Sequence, residues 1–211
     1  EGKGRVVDYL AQDADLVIRF QGGDNAGHTV INDKGKFGLH IIPSGVFNPD
    51  TMNIVSAGTV VNFDRMHEEI EHIEEVSKMV VDNVFIDERA HIILPYHMAL
   101  DGAEEGKRDE SQKIGTTKRG IGPCYEDKAA RAGIRAADLM DEERLIKRLS
   151  MVLPKKNRDL EYYGLPTYTL DEILEKCKKW KEWFGTHIID TVPVVRSAVE
   201  EGKKILLEGQ L

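Results

Sequence analysis

The chain has 211 residues, of which 41% are hydrophobic and 31% charged, a composition typical of a globular protein with a sizeable core. Its net charge of −8, from 29 basic and 37 acidic residues, argues against non-specific binding to nucleic acid. No apolar run reaches membrane-spanning length, and the two cysteines lack metal-ligand spacing, so we expect a cytoplasmic protein without a membrane segment.

The first five residues (EGKGR) form a glycine-lysine-glycine turn ahead of a helix-like run over residues 6–11. Unpaired backbone N–H groups, the positive end of a helix dipole and a lysine together are typical of a phosphate site. The segment falls short of the full P-loop pattern, so a solvated turn is the alternative interpretation.

A β-type run over residues 15–21 leads into the most informative segment, two adjacent glycines at positions 22–23 followed by a polar cluster. Paired glycines after a strand allow positive φ angles and a close approach of backbone to ligand. Asn25, His28 and Thr29 add an amide, an imidazole and a hydroxyl. We predict a ligand site here; the alternative is an ordinary turn rich in turn-forming residues.

The next segment reads as strands and one amphipathic helix. Apolar runs predict strands over residues 36–42, 53–61, 84–86 and 90–94. Apolar residues at helical spacing over residues 66–80, with glutamates on the other face, predict a helix. Three histidines of this region are not assigned to a metal, the first being interpreted as structural and the others left open: His40, His91 and His97.

A basic segment follows, since eight basic residues outnumber four acidic ones between positions 107 and 135. Within it, residues 114–128 (IGTTKRGIGPCYEDK) combine three glycines, two threonines and several cations. Such a combination is a plausible phosphate cradle, because it brings hydrogen-bond donors and positive charge together. A basic surface loop without a ligand is the alternative.

The remaining segment is interpreted mainly as scaffold. Apolar spacing predicts a helix around residues 145–152, ended by Pro154, and a second helix around residues 173–184. Cys177 belongs to the apolar stripe of the second helix and is interpreted as a core residue. A final strand over residues 203–207 ends where a parallel sheet usually faces its ligand. Strands alternating with helices predict an α/β fold.

Six segments, taken in order, resemble adenylosuccinate synthetase: EGKGRVVDYLA, FQGGDNAGHT, HIIPSGV, AHIILPYH, IGTTKRGIGPCYEDKAARAGIR and ILLEG. The resemblance runs from Glu1 to about Arg135 and resumes at the last segment, and NAGHT with IGTT-x-RGIGP is its most specific part. It implies a mixed, largely parallel central sheet flanked by helices, with a nucleotide-binding core like that of P-loop NTPases. Members of this family are considerably longer, so we expect residues 1–211 to be a single, incomplete α/β domain from the first half of one.

The resemblance implies GTP-dependent joining of L-aspartate to IMP through a 6-phosphoryl-IMP intermediate, with Mg²⁺ as the metal. His28 matches the family's catalytic acid, and Gly27 matches the residue whose carbonyl binds Mg²⁺. Expected partners are IMP, GTP, L-aspartate and a second copy of the chain, with Arg131 reaching IMP across the dimer interface. The residues matched to GTP binding are Glu1, Gly2, Lys3, Gly4, Arg5, Gly27, His28 and Thr29. The residues matched to IMP binding are Asn25, Ala26, Gly27, His28, Thr117, Arg131 and Gln210.

Three departures from the family pattern bear on activity. The family's catalytic aspartate immediately precedes the glutamate matched by Glu1, and the usual Glu-Gly-Ala-Gln reads EGQL over residues 208–211. Either Gln210 or Leu211 therefore matches the IMP-contacting glutamine, while the guanine- and aspartate-binding segments belong to the family's second half. We expect a parent enzyme and an inactive 211-residue chain. The alternative is a nucleotide-binding or regulatory module without ligase activity.

Overall fold

The computed structural model describes most of the chain: residues 3–25, 27–107 and 115–209, the first three of them by their backbone alone. Two compact units are present. One is formed by the chain up to Ala90 and from Thr186 onward, and the other by His91–Gly185. The single domain expected over residues 1–211 stays a prediction.

The helices of the described residues are α1 (Lys3–Ala11), α2 (Phe63–Ser77), α3 (Pro95–Lys107), α4 (Ile121–Ala129), α5 (Glu142–Tyr162), α6 (Leu170–Phe184) and α7 (Thr191–Glu200). The strands are β1 (Leu16–Arg19), β2 (His28–Asn32), β3 (Gly35–Leu39), β4 (Met52–Val55), β5 (Val60–Val61), β6 (Val84–Asp87), β7 (His91–Ile92), β8 (Ile188–Ile189) and β9 (Ile205–Glu208). This mixture confirms the predicted α/β class. None of these helices, in the part of the chain described, is long and apolar enough to cross a membrane.

The first unit is built on a five-stranded sheet with the order β8-β6-β4-β1-β9. Its recorded strand pairs are parallel, which confirms the predicted largely parallel central sheet. All four residues of β1 are buried, the pattern of a strand covered on both faces. Helix α7 packs on one face, where Ala198 joins Leu16 and Ile18, and α1 packs on the other, where Ala11 joins Val17.

The register of the sheet brings two charged residues together at its carboxyl edge. Arg19, the last residue of β1, is aligned with Glu208, the last residue of β9, and with Val55 of β4 on the other side. Parallel strands end at the same edge, and in α/β proteins this edge is where ligands bind. The loops that follow β1, β4 and β9 therefore start side by side.

Strands β2 and β3 form an antiparallel hairpin that aligns His28 with Leu39. Strand β2 was not predicted, and β3 is a shorter version of the strand predicted over residues 36–42. The chain leaves β3 early because the N–H groups of residues 40–42 donate to the carboxylate of Glu69 on α2, at 2.9, 3.2 and 3.1 Å. A helix side chain thus takes the donors that a longer strand would use.

The single strand predicted over residues 53–61 is wrong, because β4 and β5 are separated by a turn. The turn is closed by the Thr59 N–H, which donates to the Ser56 carbonyl at 3.0 Å. Gly58 passes so close to the end of β1 that a Cβ there would overlap the carbonyl oxygen of Phe20. The close approach requires glycine, and it brings this turn against the loop after β1.

Helix α2 confirms the helix predicted over residues 66–80, with different ends. It begins after Asn62, whose side chain accepts the Arg65 N–H as an N-cap. It ends at Ser77 because Lys78 adopts a left-handed conformation with φ 60°. Val80 lies beyond the helix and is 77% exposed, so it does not belong to the buried stripe.

In the second unit, helix α5 continues through Pro154, so the helix end predicted at this proline is wrong. Proline removes one backbone N–H and leaves the carbonyl four residues earlier, on Ser150, without its helical partner. Both residues are exposed, so water can bind that carbonyl. On the opposite side, the burial of Leu149, Leu153 and Leu160 stabilises the continuous helix.

The second predicted helix is confirmed as α6, and its apolar stripe is buried: Ile173, Cys177, Trp180 and Phe184. Burial raises the pKa of the Cys177 thiol to about 12, so the thiol stays protonated at neutral pH. A protonated, buried thiol is a poor nucleophile, which agrees with the interpretation of Cys177 as a core residue.

A buried ionic cluster joins α3, α4 and α5 in the second unit. His97 accepts the Leu94 N–H at Nδ1, and its Nε2 lies 2.9 Å from Asp127 Oδ2. Because Nδ1 accepts, the neutral ring carries its proton on Nε2 and donates it to Asp127. Lys156 Nζ, 2.6 Å from Asp127 Oδ1, supplies the opposite charge. Burial lowers the pKa of His97, while the Asp127 hydrogen bond opposes this, and the residue is structural.

Candidate functional site

The glycine-rich loop follows β1 directly, at the carboxyl edge of the sheet, as the sequence predicted. Gly22 has φ 85°, a conformation that favours glycine, and forms a β-bridge with Thr59. Its carbonyl also accepts the Val60 N–H at 2.9 Å. Asp24, in the middle of the loop, is 1% exposed. The loop is therefore joined to the neighbouring turn and strand by its backbone.

The polar residues predicted to bind ligands in this loop differ in exposure. Asn25 and Thr29 are exposed, whereas the side chain of His28 is 8% exposed. Gly27 lies against the ring of His40, since a Cβ on Gly27 would be 2.6 Å from His40 Nε2. The close contact explains why a glycine stands next to the histidine of the motif.

The ring of His28 points into the protein, where each of its nitrogens lies near a polar side chain of the first unit. Its Nε2 lies 2.8 Å from the hydroxyl oxygen of Ser44, and its Nδ1 lies 3.8 Å from Oε1 of Glu208. Ser44 starts the short 3-10 turn Ser44–Phe47, and Glu208 ends β9. A hairpin, a turn and a sheet strand thus bring these three side chains together.

Glu208 is the centre of this buried group. Both the N–H and the hydroxyl of Ser44 donate to its Oε2, each at 2.9 Å. On its other side, Nη1 of Arg19 lies 3.5 Å from its Oε1, with both side chains at most 1% exposed. Burial lowers the pKa of the Arg19 guanidinium, and the carboxylates of Glu208, Glu69 and Asp24 oppose this. The negative charges nearby stabilise the buried cation.

Ser44, Glu208 and Arg19 were not among the predicted site residues. One signal could have found the group: Arg19 is a charged residue in the otherwise apolar run Leu16–Arg19, and a buried arginine requires a carboxylate partner. The partner could not have been identified, because Glu208 and Ser44 are 164 residues apart in sequence.

Glu69 anchors the segment between the hairpin and Ser44. As a residue it keeps partial exposure, whereas its carboxyl group is enclosed by the three backbone N–H groups of residues 40–42. Burial raises its pKa to about 7, against the opposing effect of these hydrogen bonds and of Arg19. A carboxyl group that titrates near neutral pH therefore lies close to the candidate site.

In the second unit, the described part of the predicted phosphate cradle (residues 115–128) divides into a loop over residues 115–120 and the first eight residues of helix α4. Both ends of the loop are attached to α3: Gly115 N–H donates to Glu105 at 2.7 Å, and Gly120 N–H donates to Asp101 at 2.8 Å. Between these ends Thr117 is exposed, and α4 begins directly afterwards. The loop thus presents its central hydroxyl outward just before a helix N-terminus, where the helix dipole attracts anions.

The other predicted site residues are distributed as follows. Arg131 is exposed, follows α4 in the second unit and has φ 60°, in the left-handed region that non-glycine residues rarely adopt. Helix α1 (Lys3–Ala11) confirms the helix predicted over residues 6–11 but begins three residues earlier, inside the segment predicted as a glycine-lysine-glycine turn. The structure brings Gly27, His28 and Thr29 together in the first unit, while Thr117 and Arg131 belong to the second. Predicted site residues that lie outside the described residues are Glu1, Gly2, Ala26 and Gln210, with the side chains of Lys3 and Arg5.

A family model described as adenylosuccinate synthetase matches residues 1–211. The chain is 46% identical over 211 residues to adenylosuccinate synthetase 1 of Methanosarcina acetivorans, an alignment covering 100% of this chain and 49% of that protein. It is 51% identical over 211 residues to the adenylosuccinate synthetase of Dehalococcoides mccartyi, covering 99% of this chain and 49% of that protein. The chain spans about half the length of the curated relatives it matches.

Solved structures agree with the sequence comparisons. The fully ligated adenylosuccinate synthetase of Plasmodium falciparum superposes with a TM-score of 0.85 and 32% identity, covering 98% of this chain and 48% of that one. The succinoaminodeoxyadenylate synthetase of cyanophage S-2L superposes with a TM-score of 0.58 at 16% identity, which shows a shared fold. On the match of the family model to all 211 residues, this chain belongs to the adenylosuccinate synthetase family.

Proposed function

We propose that the parent protein of this chain catalyses the GTP-dependent ligation of IMP and L-aspartate to adenylosuccinate, a step of purine nucleotide biosynthesis. The observation that carries the proposal is the family match over all 211 residues, which includes both specific motifs. The geometry supports it, because the glycine-rich loop and His28 follow a strand at the edge where α/β proteins bind nucleotides.

His28 is the proposed general acid. In the reaction, a base removes the N1 proton of IMP, and the 6-oxygen then attacks the γ-phosphate of GTP. The amine of aspartate displaces phosphate from the resulting 6-phosphoryl intermediate. Negative charge develops on the phosphoryl oxygens during these steps, and a proton or hydrogen bond from the imidazole of His28 stabilises it.

The remaining contacts divide between the two nucleotides. The start of α1 supports a role in binding the GTP phosphates, because a helix N-terminus attracts anions. For IMP, the exposed Thr117 belongs to a loop attached at both ends to α3. The residues assigned to GTP are Glu1, Gly2, Lys3, Gly4, Arg5, Gly27, His28 and Thr29. The residues assigned to IMP are Asn25, Ala26, Gly27, His28, Thr117, Arg131 and Gln210.

Mg²⁺ belongs to the proposal, with the carbonyl of Gly27 as its protein ligand. Among the described residues, no group of three or more His, Cys, Asp or Glu side chains could hold a metal ion. A single backbone carbonyl from the protein fits Mg²⁺, because in phosphoryl-transfer sites this ion takes many of its ligands from phosphates and water. When bound, the ion neutralises phosphate charge. We also propose a cytoplasmic homodimer in which Arg131 reaches the IMP of the partner subunit.

The test is steady-state formation of adenylosuccinate from IMP, GTP, Mg²⁺ and L-aspartate, using the protein with the sequence that flanks these residues in its gene. His28→Asn should lower kcat by at least about a hundredfold, as expected for the loss of a general acid. The matched control is His67→Asn, because His67 lies on α2 and pairs with Glu71 at the surface. This control should retain activity.

Two results would contradict the proposal. Binding of GTP and IMP without product would favour a nucleotide-binding or regulatory module. Full turnover by His28→Asn would remove His28 from the mechanism while leaving the ligase activity. Full activity of the 211-residue chain alone would contradict our expectation that it is inactive.

A further inference from the structure

We propose that Glu208, acting through Ser44, positions the ring of His28 and keeps its proton on Nε2. The proposal rests on the proposed function, in which His28 is the general acid, and it adds two positioning residues to that site. In the free protein this proton is held by Ser44, and the ring turns from Ser44 to give it to the reacting oxygen.

The direction of each hydrogen bond follows from the chemistry of the groups. A serine hydroxyl has one proton, and an ionised carboxylate can accept but not donate. Glu208 pairs with Arg19 and receives both Ser44 donors on Oε2, so the hydroxyl proton of Ser44 is directed at Glu208. The hydroxyl oxygen then has lone pairs for His28, and the 2.8 Å contact must be donated by Nε2–H.

The same carboxylate also faces the second ring nitrogen. Oε1 of Glu208 lies 3.8 Å from Nδ1 of His28, so a proton on Nδ1 would face a negatively charged oxygen. Oε1 makes no hydrogen bond among the described residues, and Nη1 of Arg19 is 3.5 Å away. The ring thus has Nε2–H against the hydroxyl oxygen of Ser44 and Nδ1 on the side of the Glu208 carboxylate.

Burial protects these hydrogen bonds from competition by water. Ser44 is 3% exposed, and Glu208 and Arg19 are each 1% exposed, so water does not compete for these hydrogen bonds. The backbone fixes each partner separately, because Glu208 is held in register with Arg19 and Ser44 begins a 3-10 turn. The acceptor of the His28 proton is thus determined by the fold and not by a mobile surface group.

The experiment compares three substitutions with a matched control in the protein with its natural flanking sequence. Ser44→Ala removes the acceptor, Ser44→Thr keeps a hydroxyl, and Glu208→Gln replaces the carboxylate by a neutral group of the same shape. The control is Thr51→Val, which removes a buried hydroxyl that donates to the Ala14 carbonyl at 2.7 Å and not to His28, Ser44 or Glu208. It measures the general effect of losing a buried hydrogen bond.

Two readouts separate positioning from simple structural support. The first is kcat and KM for GTP: Ser44→Ala and Glu208→Gln should lower kcat about tenfold to a hundredfold with little change in KM, the effect of a misplaced catalytic group. The second is the Nε2–H proton of His28 in ¹H–¹⁵N spectra of histidine-labelled protein, identified by its loss in His28→Asn. We expect this proton to be protected from exchange with water in the natural protein and in Thr51→Val, and to be lost in Ser44→Ala.

Each outcome decides the question. Rescue of both readouts by Ser44→Thr supports positioning. An Nε2–H signal that persists in Ser44→Ala, or a kcat equal to that of Thr51→Val, overturns it. If the natural protein makes no product but the signal is present and lost in Ser44→Ala, the hydrogen-bond network stands and the proposed function fails. If Ser44→Ala does not fold, the kcat and KM of Glu208→Gln decide the outcome, because this substitution keeps the volume of the side chain.

Discussion

Replacing Glu69 by glutamine should change how stability depends on pH. The carboxyl of Glu69 accepts three backbone N–H groups through two oxygens: Oε1 accepts from His40 and Ile42, and Oε2 accepts from Ile41. In Glu69→Gln the amide oxygen can keep two of these bonds, while the amide nitrogen meets the N–H of Ile41. Losing one bond costs about 1–3 kcal/mol at any pH, because Ile41 is buried.

The pH-dependent part comes from the raised pKa of this group. Burial raises the pKa of Glu69 from 4.5 to about 7, so between these values the folded protein binds more protons than the unfolded chain. The stabilisation is fully present below pH 4.5 and is lost as the pH rises through about 7. At 1.36 kcal/mol per unit of pKa shift, the stabilisation lost over this pH range is about 3 kcal/mol. Solvent screening of the partly exposed residue reduces the expected loss to about 1–3 kcal/mol.

The assay is urea unfolding followed by circular dichroism at a series of pH values, for the natural sequence, Glu69→Gln and the control Glu75→Gln on the exposed side of α2. Tryptophan fluorescence is unsuitable, because both tryptophans belong to the second unit. The free energy of unfolding should be higher for the natural sequence than for Glu69→Gln, and this difference should fall as the pH rises from 4.5 to 7. A difference that rises with pH would refute the reasoning, since it would mean that the three hydrogen bonds outweigh burial.

Two further substitutions test the second unit, with unfolding followed by tryptophan fluorescence. Gly120→Ala should destabilise by about 1–3 kcal/mol, because φ is 77° and a Cβ would collide with backbone atoms of α3, whereas Gly122→Ala has open space and should be neutral or stabilising. Equal effects of the two would contradict this account. Lys156→Met should cost about 3–5 kcal/mol by leaving the charge of Asp127 buried without its cation. Lys155→Met, at an exposed neighbouring position, should have little effect, and a similar loss in both would argue against the buried pair.

The fold could be predicted where one local pattern decided the structure. The buried run of β1 and the apolar stripe of α6 are examples. Each is visible within a short stretch of sequence, as a continuous apolar run in β1 and as apolar residues three or four positions apart in α6. The predictions failed where a distant contact decided the outcome. The strand over residues 53–61 breaks because Gly58 passes against Phe20, and α5 continues through Pro154 because its buried face packs well. Helix α3 was not predicted, although it begins at Pro95 and proline favours a helix start.

The candidate site shows the same limit. The glycine-rich loop and His28 could be found from the sequence, because glycines and polar residues follow a strand within a few positions. Ser44 and Glu208 could not be found, since their roles depend on a register between strands that are distant in sequence. The role of Glu69 was likewise not predicted: the glutamates of this helix were placed only on the face opposite the apolar residues, whereas the Glu69 carboxyl accepts three backbone N–H groups.

The parallel pairing of β1 with β9 has a consequence for how the protein is made. Strand β1 is synthesised early, yet one of its edges gains a partner when Ile205–Glu208 has left the ribosome. Until then the nascent chain exposes unpaired N–H and C=O groups, which other strands can recruit. The same event delivers Glu208 to Ser44, across 164 residues of sequence. Translation that stops short of β9 therefore yields an aggregation-prone chain in which the carboxylate of Glu208 is missing beside Ser44 and His28.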